Sequence, residues 1–237
     1  MTINHKSIIG VVLIIFLIIG TTYALTTPLF EASDELWHYP VVWHISQTKE
    51  LPVLNPTDPG PWRQEAGQPP LYYYIMSIAT NWIDTSDMHS IRLINPHVDN
   101  GVVTLDGNVN MVVPPMKPHL FEWSGTSLAI KIIRILSVLL SVGSVYITYL
   151  LSLSLFPKKK SVAIASASFL AFTPMFAFIS GSVNNDNLAI LISGIIMLMV
   201  SRLTHLESTL PKIVFYIGRN SDNASYGHIS VVHLLLG

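Results

Sequence analysis

Four apolar runs constrain this chain more than any other feature. Residues 8–25, 128–156, 161–180 and 188–201 hold only two charges among them, Lys131 and Arg134. About 20 apolar residues suffice for a helix to cross the ~30 Å hydrocarbon core of a bilayer. Inside that core every backbone N–H and C=O needs a partner within the chain, so runs of this length cross as helices. The expected fold is an all-α polytopic membrane protein with about four transmembrane helices. Composition agrees: 50% of the 237 residues are apolar and 11% charged, against roughly 25% charged in soluble domains. A cleaved signal peptide is the other reading of the first run, with Ala32 and Ser33 as small residues near a cut. The run is longer than an ordinary signal core, which favours an uncleaved anchor.

Basic residues orient the spans, because short loops rich in Lys and Arg stay in the cytoplasm. Lys6 precedes the first run, Lys158, Lys159 and Lys160 follow the second, and Arg202 follows the fourth. Alternating spans put all three points on one side. The N-terminus is then cytoplasmic, and residues 28–127 and the turn "GSVNNDN" lie outside a multi-pass cell-membrane protein. The long loop has eleven acidic residues and four Lys or Arg, a balance suited to translocation. A net charge of −1 gives no basic field for nucleic acid. The absence of cysteine removes disulfides and thiol chemistry.

A loop of about 100 residues is too long to be a bare connector and should fold. Residues 34–47 read as a membrane-surface helix carrying Trp37, Tyr39, Trp43 and His44, which Pro40 should kink or divide. Pro69 and Pro70 open a second helix over 71–83, too short to span and suited to the interface. "VVTLDGNVNMVV", residues 102–113, alternates around Asp106-Gly107 and predicts a short β-hairpin.

The densest polar cluster, "SDELWHY", stands just past the first run. Ser33 suits an N-cap, and Asp34 and Glu35 suit the first turn of a helix, where the dipole favours negative charge. That alone accounts for an acidic pair. His38 follows Asp34 by four residues, on the same helix face. The same spacing lets Asp34, Glu35 and His38 take a proton from a hydroxyl or hold a divalent cation, the one cofactor the pattern would suit. Arg134 is costly inside a span and can bind a phosphate bidentately; snorkelling to the headgroups is its other explanation, as for Lys131. If it serves a phosphate, leucine in its place leaves the span neutral or more stable.

"SDELWHY", then "QPPLYYY", then an arginine in "IKIIRILSVLLS", then "SVNNDNLAI" between two spans resembles the GT-C membrane glycosyltransferases. Within them it is most similar to the branch of protein O-mannosyltransferases, aminoarabinose transferases and related predicted membrane proteins. The resemblance covers about residues 8–205. It implies transfer of a sugar from a polyprenyl-phosphate donor to an acceptor, of unread identity, on the outer face of the membrane. By motif position Asp34 matches the catalytic base, and Glu35 supports it or holds a cation. Arg134 matches the donor-phosphate contact. His38, Tyr72, Tyr73, Asn185 and Asp186 fall at substrate-binding positions. Gln68 joins them, although many relatives have His or Lys there. Ordinary turn chemistry is the other account of Asn185 and Asp186. The lipid bilayer and the lipid-linked sugar are the partners implied; nucleic acid is not.

The resemblance makes residues 1–205 a membrane module. Relatives are longer, and residues 206–237 read as an incomplete or aberrant tail, from a fragment or from a reading frame lost near Tyr216. The rival function is a non-enzymatic scaffold or assembly subunit, or an inactive fragment.

Overall fold

The computed structural model describes residues 4–32, 34–55, 57–97, 110–113 and 122–221, with side chains as far as Thr204. Among these the chain is helical: α1 His5–Thr26, α2 Glu35–Thr48, α3 Leu71–Thr80, α4 Met88–Ile91, α5 Gly125–Leu155, α6 Lys160–Ala171, α7 Pro174–Ser180 and α8 Asp186–Ser221, with a 3-10 turn at Arg63–Gly67. Three helices are long and apolar enough to cross a membrane: α1, α5 and the Asp186–Thr204 part of α8. A fourth span results if α6 and α7, bent by 64°, count as one.

α5 is the axis of the molecule, packing against α1, α6 and α8. Of its apolar window 56% is buried, against 28% in α1 and 17% in α8, so α1 and α8 keep wide apolar faces outward. Val11, Ile14 and Ile18 on α1, and Ile196, Met197 and Val200 on α8, are exposed, the surface a bilayer would solvate. At 1.5 Å per residue, the 31 residues of α5 make about 46 Å of helix, some 16 Å more than a ~30 Å core needs. The three lysines mark one end. Lys131 and Arg134 lie within the first ten residues of α5, towards the other end.

Small residues allow the close packing of the bundle. Ala163, Ala167 and Ala171 of α6 are fully buried against a cluster that includes Phe16, Val145 and Tyr149. A Cβ at Gly20 would lie 3.0 Å from Ser180 Oγ and from Val138, and one at Gly181 would lie 2.8 Å from the Ala24 backbone nitrogen. α1 and the end of α7 therefore touch backbone to backbone. The α6–α7 bend follows from Pro174. It sits in the first turn of α7, and Thr173 before it is extended, φ −70° and ψ 117°, as a residue preceding proline prefers.

α2, the 3-10 turn, α3 and α4 gather at the N-terminal end of α5, around Leu36, Tyr39, Val42, Tyr72, Met76, Ile130 and Ile133. Pro40 does not divide α2, which runs unbroken from Glu35 to Thr48. Proline has no N–H for the carbonyl four residues back. Here Arg92 Nε donates to that Leu36 carbonyl at 2.9 Å instead. α3 stops at Thr80 rather than at 83.

No hairpin is seen among the described residues. Residues 102–109 lie outside the described residues. Val112, on its far arm, makes an isolated antiparallel bridge with Ile94. The N–H groups of Met111 and Val112 both go to the Glu31 carboxylate, at 2.9 and 3.0 Å, so a distant side chain organises this segment. α8 continues as helix through residues 206–221; residues 222–237 lie outside the described residues.

Candidate functional site

The acidic pair separates into two roles at the start of α2. Glu35 points inward and is fully buried. Arg134 Nε donates to its Oε2 at 2.8 Å and an Arg134 terminal nitrogen to its Oε1 at 2.6 Å. The other donors of Arg134 reach the carbonyls of Ala24, Thr27 and Pro28 at 3.0, 2.7 and 3.0 Å. A guanidinium has five N–H groups, and these five bonds use them all. Ala24 lies in the last turn of α1 and Thr27 is its C-cap, so the arginine caps α1 and complements its dipole; the Pro28 carbonyl, just beyond, also accepts the Glu31 N–H at 3.3 Å. Glu35 also accepts the backbone N–H of Phe30 at 2.9 Å and of Val183 at 3.0 Å. Phe30 has φ 64°, a left-handed conformation that costs about 1–2 kcal/mol without glycine, and the Glu35 bond helps hold it. One ion pair thus ties together α1, α2, α5 and the turn before α8. The expected phosphate contact of Arg134 has no N–H left to make it.

Asp34 does the reverse. It is exposed and stands at the N-cap of α2 without a side-chain capping bond, so capping does not account for its carboxylate. Ser33, expected as the cap, lies outside the described residues. The Asp34 charge acts on Glu65, part of a polar group drawn from α2, the 3-10 turn and α3. His38 Nδ1 is 2.7 Å from the Tyr73 hydroxyl and 3.4 Å from Glu65 Oε2. His38, Glu65 and Tyr73 are all at least nine-tenths buried. Burial pushes the His38 imidazole down to about 4. The ring is neutral at pH 7, and its contact with Glu65 is not an ion pair. Burial, and then the charges of Asp34 and Asp186, hold the Glu65 carboxyl above its ordinary value. Burial likewise raises the Tyr73 phenol, with Glu65, Tyr72 and Asp186 adding to the shift. Nδ1 offers one proton or one lone pair, and the shorter Tyr73 bond takes it. Glu65 Oε2 has no hydrogen-bond partner.

Gln68 and Asn185 also meet, Asn185 Nδ2 donating to Gln68 Oε1 at a long 3.5 Å. Asp186 is exposed beside them at the first turn of α8. Tyr72 has a packing role. Its hydroxyl bonds Ser137 Oγ at 2.7 Å and accepts the Asn184 N–H at 3.2 Å, fastening α3 to α5 and to the turn before α8. Lys131 is buried too, its ammonium over the Trp123 ring at 4.8 Å. Asp34, Glu35 and His38 do not converge on a cation, because Glu35 is turned to Arg134. Among the described residues no three His, Asp or Glu side chains stand close enough to hold a metal ion.

Glu65 is the site residue that sequence reasoning missed. It lies three residues before Gln68 in "QEAGQPPLYYY", and a glutamate so close to a quoted motif was the available signal. Comparisons with protein-family models, with curated proteins and with solved structures found no match. The case for a function therefore rests on the residues and their geometry.

Proposed function

We propose that this is a multi-pass membrane glycosyltransferase that moves a sugar from a polyprenyl-phosphate donor to an acceptor hydroxyl outside the cytoplasm, with Asp34 as the base. The observation that carries this reading is the division of the acidic pair. Asp34 stays exposed, makes no capping bond and acts on the charge of Glu65, while Glu35 is spent on locking the helix that carries it. A base needs such rigidity, since oriented attack tolerates little misplacement. Its place just after the first span suits a donor whose tail stays in lipid.

In the reaction Asp34 takes the proton of the acceptor hydroxyl, and the acceptor oxygen forms its bond to the anomeric carbon. The bond from that carbon to the phosphate oxygen breaks, and polyprenyl phosphate leaves with the electron pair. Arg134 acts as a positioning residue, holding Glu35 and the end of α1. The test is Asp34→Asn in proteoliposomes, with transfer of labelled hexose from a polyprenyl-phosphate donor as the readout. Asparagine keeps the shape and removes the proton acceptor, and loss of a general base typically costs 10²–10⁴-fold in rate. A rate near wild type would sink the assignment.

One observation favours the second reading, a non-enzymatic scaffold: every donor of Arg134 is satisfied within the fold. On that reading Asp34→Asn leaves the protein's assembly and complexes unchanged, and no transfer is found even in the wild type.

A further inference from the structure

We propose that Glu65, together with His38 and Asp186, forms a subsite that receives the hydroxyls of an uncharged sugar ring and rejects a ring bearing a negative charge. The inference deepens the glycosyltransferase reading and rests on it.

Glu65 is 5% exposed, and its Oε2 lacks a partner although His38 Nδ1 is only 3.4 Å away. A buried carboxyl oxygen in that condition is costly, and a hydroxyl donor satisfies it. The turn that carries it is well fixed: the Glu65 N–H bonds the Trp62 carbonyl at 3.0 Å, and the Gln68 N–H bonds the Glu65 carbonyl at 3.2 Å. The backbone that presents Glu65 therefore also presents Gln68, which reaches Asn185. The Glu65 carboxyl beside the His38 imidazole, with the Gln68 amide one turn on, matches hydroxyls, each both donor and acceptor.

The charge around the subsite sets what it excludes. Asp34 from α2 and Asp186 from α8 both act on Glu65. The neighbouring cations are directed elsewhere. Arg134 is held by Glu35 and the end of α1. Arg92 bonds the carbonyls of Leu36 and Pro61. Arg63 stacks on Trp37, 3.8 Å from the ring centre. A uronic acid carboxylate in the subsite would meet the like charges of Asp34 and Asp186 that act on Glu65.

The experiment is equilibrium binding of two lipid-linked sugars to the full chain in nanodiscs, polyprenyl-phosphate hexose and polyprenyl-phosphate hexuronate. Both have the same phosphate and lipid, so the comparison isolates the ring substituent. Wild type should prefer the hexose by roughly tenfold or more, the scale of one lost contact plus repulsion. Glu65→Gln, of the same shape and without the charge, should bring the two affinities together. Equal wild-type affinities would overturn the subsite, and this arm needs no variant. Selectivity unchanged in Glu65→Gln would remove Glu65 from it. Asp34→Asn keeps the failures apart. If it transfers at the wild-type rate while selectivity persists, the base assignment fails and the subsite stands. If the wild type binds neither donor, both fail.

Discussion

Arg134 and Glu35 join α1, α2, α5 and the turn before α8 through one buried ion pair. A buried ion pair gains little over an apolar substitute, but removing one partner strands the other charge and costs about 3–5 kcal/mol. Arg134→Leu should therefore destabilise the protein by that order, opposite to the neutral effect that a phosphate-binding arginine would give. The double variant Arg134→Leu, Glu35→Leu should recover part of the loss. Melting in detergent, followed by near-ultraviolet circular dichroism, checks both. His38 gives a second prediction at this scale. Its folded pKa of about 4 lies below the ordinary imidazole value of 6.5, so the native state resists the proton that the unfolded chain accepts. Stability should be intact above pH 6.5 and fall as pH drops towards 4, by up to about 3 kcal/mol. His38→Gln should flatten that slope. Glu65 acts with the opposite sign. Its raised pKa gives stability that is full below the unfolded carboxyl value and lost as pH rises through the folded one. Glu65→Gln should therefore gain stability at neutral pH. Denaturant titrations between pH 4 and 8 separate the two.

α2 shows how an element survives a residue that should break it. Pro40 leaves the Leu36 carbonyl without a helical partner, and Arg92 on the segment after α4 supplies one from outside. Arg92→Leu should strand that carbonyl and cost about 1–3 kcal/mol, with some loss from its stacking on Trp37, 5.1 Å away. Pro40→Ala restores an N–H to the helix. In the Pro40→Ala background the cost of Arg92→Leu should shrink by at least half. Equal costs in both backgrounds would show that the Arg92 bond does not stand in for the missing one. The same cycle tests whether α2, which carries Asp34, is held in place from the far side of the loop.

At the scale of the whole molecule, the lysines at one end of α5 and the acidic group at the other predict opposite sides of a membrane. The chain has no cysteine, so each introduced thiol reports alone. Val53, 78% exposed, should react as Val53→Cys with an impermeant maleimide in intact cells. Lys159→Cys should react only after permeabilisation. The reverse pattern would invert the topology and remove the site from the outer face.

The apolar runs were legible because a span is decided locally. Length, hydropathy and missing charge suffice, and α1, α5, the bent α6–α7 pair and the start of α8 fall where the runs do. α2 and α3 were legible for a related reason, since proline and aromatic spacing act within a few residues. The site was only half legible. Adjacent residues on a helix point about 100° apart, so Asp34 and Glu35 were bound to diverge, but which one faced in depended on where Arg134, 99 residues later, would stand. Glu65 gave no local sign of burial, and Glu31 none that it would hold Met111 and Val112, 80 and 81 residues away. Ion pairs, borrowed carbonyl partners and unpaired carboxyl oxygens depend on distances between segments far apart in the chain. Those distances exist only once α5 has gathered the other helices around it, which is why the tertiary structure alone decided them.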